Sequence, residues 1–375
     1  MARGHLHLPI DHEDFLRRHW QREPLLIRSA LPDFQPPLSA DELAGLAMEE
    51  ALESRIIYQN APGQWTLECG PFNQADYQRT GAWTLLVQAV DYFIPEVAAL
   101  RQLVDFLPQW RFDDVMISYA SDGGSVGPHF DLYDVFLLQG QGQRLWKLGQ
   151  RCDSHSALLP DNELSILQDF ESHSEYLLDP GDILYIPPKM AHWGIARGDC
   201  TTFSLGFRAP RRHDLLARLT DHILEHDIND ELMNDPGRAL NHQPGKISKE
   251  DLQAVRKQVY ALLDAEDSSR WFGELISEPR YPIEEAPYSD EQLSQYLQGT
   301  ITLQQNPASR LAWTDTSGGQ ICIFGNGFSY ETTHEHRALI MALCGQQSVT
   351  LHLDGKDKEQ ALTQFLLTTG CCHVI

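Results

Sequence analysis

The segment VGPHFDLYDVFLLQG, residues 126–140, sets His129 and Asp131 two positions apart, after a glycine-rich loop (SDGGSVGP, 121–128) and before an apolar run. In an extended chain, residues i and i+2 project from one face about 6–7 Å apart, so this pair can converge on a single ion. Spacing alone does not decide the matter. Four His-x-acid pairs occur, His12-x-Asp14, His129-x-Asp131, His173-x-Glu175 and His352-x-Asp354, and three of them read as solvated polar residues. Only His129 follows a loop that turns the backbone sharply into a strand. Only it has a second histidine in a comparable setting, 192 − 129 = 63 residues on. That partner lies in DPGDILYIPPKMAHWG (179–194), where Pro180-Gly181-Asp182 makes a turn, ILYI a strand, Pro187-Pro188 its stop, and His192 arrives in strand-end context.

Around this segment the chain reads as β-rich. Short runs at VMISYA (115–120), DVFLLQG (134–140), RLWKL (144–148), DILYI (182–186) and TTFSLGF (201–207) are separated by Gly, Pro and Asp, as a barrel or sandwich requires. Residues 1–110 instead carry amphipathic helical patterns (ADELAGLAMEEALES, 40–54; TLLVQAVDYFIPEVAALRQLVDFL, 84–107) suited to helices packed outside the barrel. After APRR (209–212) the period is again helical, with Leu215, Leu216, Leu219, Ile223 and Leu224 on one stripe. A second helix opens at Ser248 with Asp251 three residues on, a capping-box-like start, and carries Leu252, Val255, Val259, Leu262 and Leu263. These two helices suit a small bundle, a dimer interface or packing within one chain. From about 285 the order is a helix from Ser289, short strands (SRLAW, QICIFG, GFSYE) and two helices (HRALIMALCG, KEQALTQFLL), that of a winged-helix-like module.

Composition bounds the function. The net charge of −24 disfavours nucleic-acid phosphates and favours encounter with basic partners, although an acidic surface also serves plain solubility. Residues 285–375 hold four Lys/Arg against nine Asp/Glu, the reverse of a DNA-binding footprint, so a protein-contact or packing module is expected there. Seven scattered cysteines with no C-x-x-C pair indicate neither a disulfide framework nor a zinc ribbon. The N-terminal stretch lacks the apolar core of a signal peptide, and no run of about 18 apolar residues occurs. A cytoplasmic protein with no membrane partner is the expectation.

Two histidines and one carboxylate, with coordination positions left open, make the facial triad of non-haem Fe(II) oxygenases, whereas a closed structural zinc site needs a fourth protein ligand. His129, Asp131 and His192 are the candidate ligands; the bland alternative is two strand-end histidines without metal.

GGSVGPHFD (123–131) joined to PGDILYIPPKMAHWG (180–194) resembles the double-stranded β-helix of the cupin and JmjC superfamily. Lys189 stands where many cupins have glycine. The first motif has H-x-D rather than H-x-H, and Val135 or Phe136 replaces a frequent metal-binding glutamate, which favours the 2-oxoglutarate oxygenase branch. Over residues 14–278 the chain is similar to bacterial ribosomal oxygenases, through FLRRHWQREPLLIR, DELAGLAMEE, WTLLVQAVD, DDVMIS, YDVFLLQGQGQRLWKLG, SLGFRAP and WFGELIS. The resemblance implies an α+β chain. Residues 1–210 would form a JmjC oxygenase domain with N-terminal helices (barrel core about 86–210), 211–280 a helical dimerisation region of a homodimer, and 281–375 a winged-helix-like domain. It implies Fe(II), 2-oxoglutarate as cosubstrate, dioxygen, and hydroxylation of an arginine β-carbon in a large-subunit ribosomal protein (number sixteen).

The same resemblance assigns roles. The distal carboxylate of 2-oxoglutarate wants a cation inside the barrel, and Arg144, whose planar fork grips carboxylates, is that residue; a surface arginine is the alternative. Lys147, at odd separation, falls on the opposite face. Ser118 matches a cosubstrate contact, or is a buried structural serine. Asp114 and Ser204 match polar contacts to the substrate arginine, and Met116 and Tyr133 the walls around its stem; each could equally be barrel core or rim. Asp114 and Met116 share a face by period two. Other readings stay open: a histidyl hydroxylase acting on another ribosomal protein, a noncatalytic cupin scaffold for basic proteins, and a winged-helix DNA regulator.

Overall fold

A computed structural model describes residues 6–61, 63–160, 164–226, 232–238, 243–265, 269–281, 288–316 and 318–375. The chain divides into two compact units, 1–209 and 210–375.

The first unit is a β-helix in helical packing. Its strands are β1 (Leu25–Ile27), β2 (Ser54–Ala61), β3 (Gln64–Cys69), β4 (Trp83–Val87), β5 (Phe112–Ala120), β6 (Val135–Gln139), β7 (Gln143–Arg151), β8 (Ser174–Leu178), β9 (Ile183–Ile186), β10 (Met190–Arg197) and β11 (Cys200–Phe207). Eight form one sheet in the order β1-β9-β6-β11-β5-β4-β2-β3, and three form a second, β10-β7-β8. All pairings within these sheets are antiparallel. Period-two alternation sorts each strand between two cores. Phe136, Leu138, Ile183, Tyr185, Phe203, Leu205 and Phe207 pack outward with Phe15, Leu43, Val97, Leu100 and Leu103 from the helical layer. Val135, Leu137, Leu184 and Ile186 point inward, against Trp146, Leu148 and Leu178 of the smaller sheet. Being buried on both faces explains why these strands read as continuous apolar runs. Roughly 1.5–3 kcal/mol per large apolar side chain buried makes these two layers the main source of stability.

The outer layer contains α1 (His12–Arg18), capped by Asp11, α2 (Ala40–Leu46), whose Ser39 and Glu42 form a capping box, and α3 (Pro95–Ala98), followed by 3₁₀ turns. The expectation of helix across residues 40–54 and 84–107 is corrected. The first helix stops at Leu46, and residues 83–87 form β4, because pairing with β5 and β2 decides an apolar run whose period suits either structure.

The second unit carries α4 (Arg212–His226), α5 (Lys249–Ala265), α6 (Arg270–Ser277), α7 (Asp290–Tyr296), α8 (Arg337–Cys344) and α9 (Asp357–Thr368). Two three-stranded sheets accompany them: β16-β12-β17 and β13-β14-β15, with β12 (Thr300–Gln305), β13 (Leu311–Asp315), β14 (Ile321–Gly325), β15 (Phe328–Thr332), β16 (Val349–His352) and β17 (Cys372–Val374). Ser248 and Asp251 exchange the expected reciprocal bonds at the start of α5. Helix α6 packs on β14 so tightly that a β-carbon at Gly273 would fall 2.4 Å from the Phe324 ring. The expected boundary at 281 adjoins residues 282–287, outside the described residues. No helix among the described residues is long and apolar enough to cross a membrane.

Candidate metal centre

His129, Asp131 and His192 come together with ligand atoms all within 4.8 Å of one another. Their scaffold differs from the expected strand. His129 forms a single antiparallel bridge with His192, Asp131 lies in irregular chain, and the regular strand begins only at Val135. His192 is not at a strand end but the third residue of β10. The bridge itself supplies the alignment: each histidine N–H donates to the other's carbonyl, at 3.0 and 2.8 Å, and Lys189 N–H donates to Asp131 O at 2.6 Å. Lys189 does this with φ +66°, the left-handed conformation that explains glycine at this place in related motifs.

Second contacts set the tautomers. Nδ1 of His129 lies 3.0 Å from Gly127 O, and Nδ1 of His192 2.9 Å from Met190 O. A carbonyl only accepts, so each Nδ1 carries the hydrogen and each Nε2 lone pair is left for an ion. His192 Nε2 stands 3.6 Å from Asp131 Oδ2. Burial, reinforced by His129, pushes His192 down to about 4, so its ring is neutral at neutral pH. The loop before His129 is held by Ser125 Oγ, which accepts from Trp193 Nε1 and Gly127 N. The loop after it is held by Asp134, which accepts from Tyr185 Oη at 2.6 Å and Gln21 Nε2 at 3.0 Å.

Arg144 lies deeper, 3% exposed, between the sheets. Its Nη1 donates to Ser118 Oγ at 3.1 Å and Thr202 Oγ1 at 3.4 Å, and the guanidinium sits 5.2 Å from the Trp146 ring. Among the described residues Nε has no hydrogen-bond partner, and no carboxylate is among the groups that act on its charge. Burial lowers its pKa, and a cation buried without a countercharge is costly unless a ligand supplies one. Lys147 points the other way, paired with Glu175 at 2.8 Å.

Three of the remaining four predicted residues, Asp114, Met116 and Ser204, lie on the paired strands β5 and β11, and Tyr133 in the loop before β6. Asp114, Met116 and Ser118 alternate along β5, and Ser204 of β11 is in register with Met116. Asp114 Oδ2 accepts from Gln88 Nε2 at 2.6 Å and Ala89 N at 3.0 Å. Tyr133 is half exposed, and the neighbouring Asp131, then burial and Asp114, push its phenol above its ordinary range.

A JmjC-domain profile matches residues 99–215, a ROXA-like winged-helix profile residues 254–372, and an AraC-like ligand-binding profile residues 171–312, across the division between the units. The chain is 34% identical over 349 residues to the ribosomal protein uL16 3-hydroxylase of Escherichia coli (strain K12), covering 92% of this chain and 91% of that one. It belongs to the ribosomal oxygenase family. A probable ribosomal oxygenase of Haemophilus influenzae is 34% identical over 335 residues, 85% of this chain and 81% of that protein. The structure of YcfD, a ribosomal oxygenase from Escherichia coli, in complex with cobalt and 2-oxoglutarate aligns with a TM-score of 0.81 and 31% identity, over 98% of this chain and 99% of that one.

For a ribosomal oxygenase the donor set is apt: two imidazoles and a carboxylate hold a divalent first-row metal and leave positions open. The orphaned Arg144 Nε fits an anionic cosubstrate. Sequence reasoning passed over Thr202, Gln139, Trp146 and Gly194. Gln139 Oε1 accepts from Thr202 Oγ1, extending the Arg144 network, and a β-carbon at Gly194 would fall 2.8 Å from Trp146 and 3.0 Å from Arg144 Nε. Thr202 was reachable from Ser204 by period two; nothing in the spacing marked the others.

Proposed function

We propose that this chain is an Fe(II)- and 2-oxoglutarate-dependent oxygenase that hydroxylates the β-carbon of an arginine in a large-subunit ribosomal protein (number sixteen). The observation that carries this is a three-ligand cluster and a buried, uncompensated guanidinium inside one barrel. The kinship with a uL16 3-hydroxylase over nearly the whole chain supports the choice of substrate. Bound iron would supply dioxygen activation coupled to decarboxylation of 2-oxoglutarate to succinate.

The chain's own residues do the rest. His129, Asp131 and His192 hold the metal, with each imidazole oriented by its Nδ1 bond. Arg144 grips the distal carboxylate of the cosubstrate, and Ser118 steadies that fork. Asp114 and Ser204 receive the substrate guanidinium, while Met116 and Tyr133 flank its alkyl stem and exclude water. Because Arg144 is buried and Tyr133 is at the rim, the cosubstrate binds before the protein substrate closes the mouth.

The test incubates the purified protein with Fe(II), 2-oxoglutarate, dioxygen and an arginine-containing fragment of the ribosomal protein. One added oxygen on arginine, absent with His192→Ala, establishes reaction and substrate class. Succinate without added oxygen redirects the search to other basic proteins, and neither signal leaves a binding scaffold.

The reading extends to assembly. Leu252, Val255, Val259 and Leu262 on α5, with Leu216 and Leu224 on α4, leave apolar stripes exposed, which supports a homodimer through these helices. Seven free cysteines support a reducing, cytoplasmic setting. The acidic C-terminal region supports no DNA partner, which a gel shift at moderate salt checks.

A further inference from the structure

We infer that Ser125, held in turn by Trp193, is a positioning residue of the metal centre: its hydroxyl pins the turn that puts the His129 imidazole on the same face as His192. This rests on the reading of His129, Asp131 and His192 as metal ligands.

The loop before His129 runs alongside β10 and meets its main chain at two points. Ala196 N donates to Gly124 O at 3.0 Å, and at the other end His192 and His129 exchange their bonds. Between these points β10 advances four residues, 196 − 192, and the loop five, 129 − 124. Residue-for-residue pairing from Gly124 would set Pro128 opposite His192. The surplus residue sets His129 there instead, and because neighbours on an extended chain alternate faces, it decides which side the imidazole takes. The surplus is absorbed around Gly127, whose φ is +82° and where a β-carbon would stand 3.1 Å from both Ile166 Cδ1 and Trp65 Cζ2. Gly127 is also the residue whose carbonyl accepts from His129 Nδ1, at 3.0 Å.

The two imidazoles are therefore held differently. Met190, whose carbonyl accepts from His192 Nδ1, belongs to β10 and pairs with Arg151 of β7, so the ladder fixes that acceptor. Gly127 lies in irregular chain. Ser125 does there what the ladder does for Met190, its Oγ accepting from Gly127 N at 3.0 Å. A serine side chain turns about its own bond unless something holds it, and Trp193 Nε1, which can only donate, holds it at 2.8 Å. Trp193 follows His192 directly on β10 and projects to the other face, where its ring meets Phe170 edge-on at 5.9 Å. Ser125 is 7% exposed, so water competes little for either bond. One strand thereby supplies His192 from one face and, from the other, orients His129 through Trp193, Ser125 and Gly127.

The experiment titrates Mn(II) into the metal-free protein by calorimetry and records the visible absorption of the Co(II) form. It compares the parent, Ser125→Ala, Trp193→Phe, the double variant and His129→Ala, with thermal unfolding of each. Ser125→Ala removes the acceptor of both bonds, and Trp193→Phe keeps a ring while removing the donor. Ser125→Ala is expected to weaken Mn(II) binding about tenfold, the lower end of the loss that follows from altering a ligand's supporting hydrogen bonds, and to shift the Co(II) bands, which respond to ligand orientation and not to stability. Trp193→Phe is expected to move both readouts the same way by less. The double variant should be no weaker than Ser125→Ala, because without the hydroxyl the indole has nothing to hold. If Ser125→Ala and Trp193→Phe keep the parent's Mn(II) affinity and Co(II) spectrum while His129→Ala loses Mn(II), the positioning role is overturned and the triad stands, even where both variants unfold at lower temperature. If His129→Ala itself binds Mn(II) like the parent, the triad falls, and this inference with it.

Discussion

His129 and His192 exchange both of their backbone hydrogen bonds, so the two imidazoles of the candidate centre are registered by main chain rather than by each other's side chains. A substitution that removes one ring therefore leaves the bridge that aligns the other. His192→Ala is expected to keep far-UV circular dichroism while weakening Fe(II) affinity more than about a hundredfold, beyond the loss typical of altering a ligand's outer partner. Calorimetric titration of metal beside a 2-oxoglutarate turnover assay checks it; retained turnover would sink the triad assignment.

Arg144 bears on the cosubstrate by shape as well as charge. Arg144→Lys keeps a cation but loses the fork that reaches Ser118 and Thr202. The expected rise in the cosubstrate KM is about 10–100-fold, the equivalent of losing one hydrogen bond to a charged group, about 1.5–3 kcal/mol. Metal affinity should not follow, and measuring both separates the two sites.

Gly194 faces Trp146 across the β10–β7 pair, and the indole and the Arg144 Nε occupy the space a methyl group would need. Gly194→Ala is expected to destabilise the protein by about 1–3 kcal/mol through overpacking, and to weaken 2-oxoglutarate binding roughly tenfold by displacing Arg144. Thermal unfolding and cosubstrate titration on one sample test the linkage; a stability loss with unchanged cosubstrate affinity would show that Arg144 tolerates the shift.

What was legible in the sequence follows from which interactions are local. Strands β5, β6, β9 and β11 announce themselves because period-two apolar residues are dictated by the two cores they separate. The triad was legible because a metal demands few residue types at a close spacing plus one distant partner. β4 was misread as helix because Leu85, Leu86, Val87 and Val90 satisfy either period, and only pairing with β5 decides. The grip of Gln88, Ala89 and Asp91 on β5 left no trace, since it joins residues about 25 positions apart through contacts that only the fold creates.

The exposed stripe on α5 predicts how the chain assembles. Val255→Glu with Val259→Glu places two charges in a surface proposed to pair with a second copy, where an unpaired buried carboxylate is strongly unfavourable. The expected outcome by light scattering is a monomer in place of a dimer, with 2-oxoglutarate turnover retained because the barrel is untouched. A parent protein that is already monomeric would remove the dimer reading.

Asp91 gives a pH dependence whose sign is fixed. Burial, then the neighbouring Asp114 carboxylate, raise it from an ordinary value of 3.8 to about 8. Below about pH 4 folded and unfolded chains both hold this proton. Between about 4 and 8 the folded state keeps the proton that the unfolded chain has released, so stability falls as pH rises, and above about 8 the slope from this group ends. His192, depressed to about 4, acts oppositely between about 4 and its ordinary 6.5, so the parent's profile alone mixes two trends. The difference between Asp91→Asn and the parent isolates the carboxyl, since the amide oxygen can still accept from Val115 N. That difference in unfolding free energy is expected to move in favour of Asp91→Asn steadily from about pH 4 to 8 and then level off. A difference independent of pH across that window would mean that Asp91 is ionised in the folded protein, with its charge balanced by groups other than those named here.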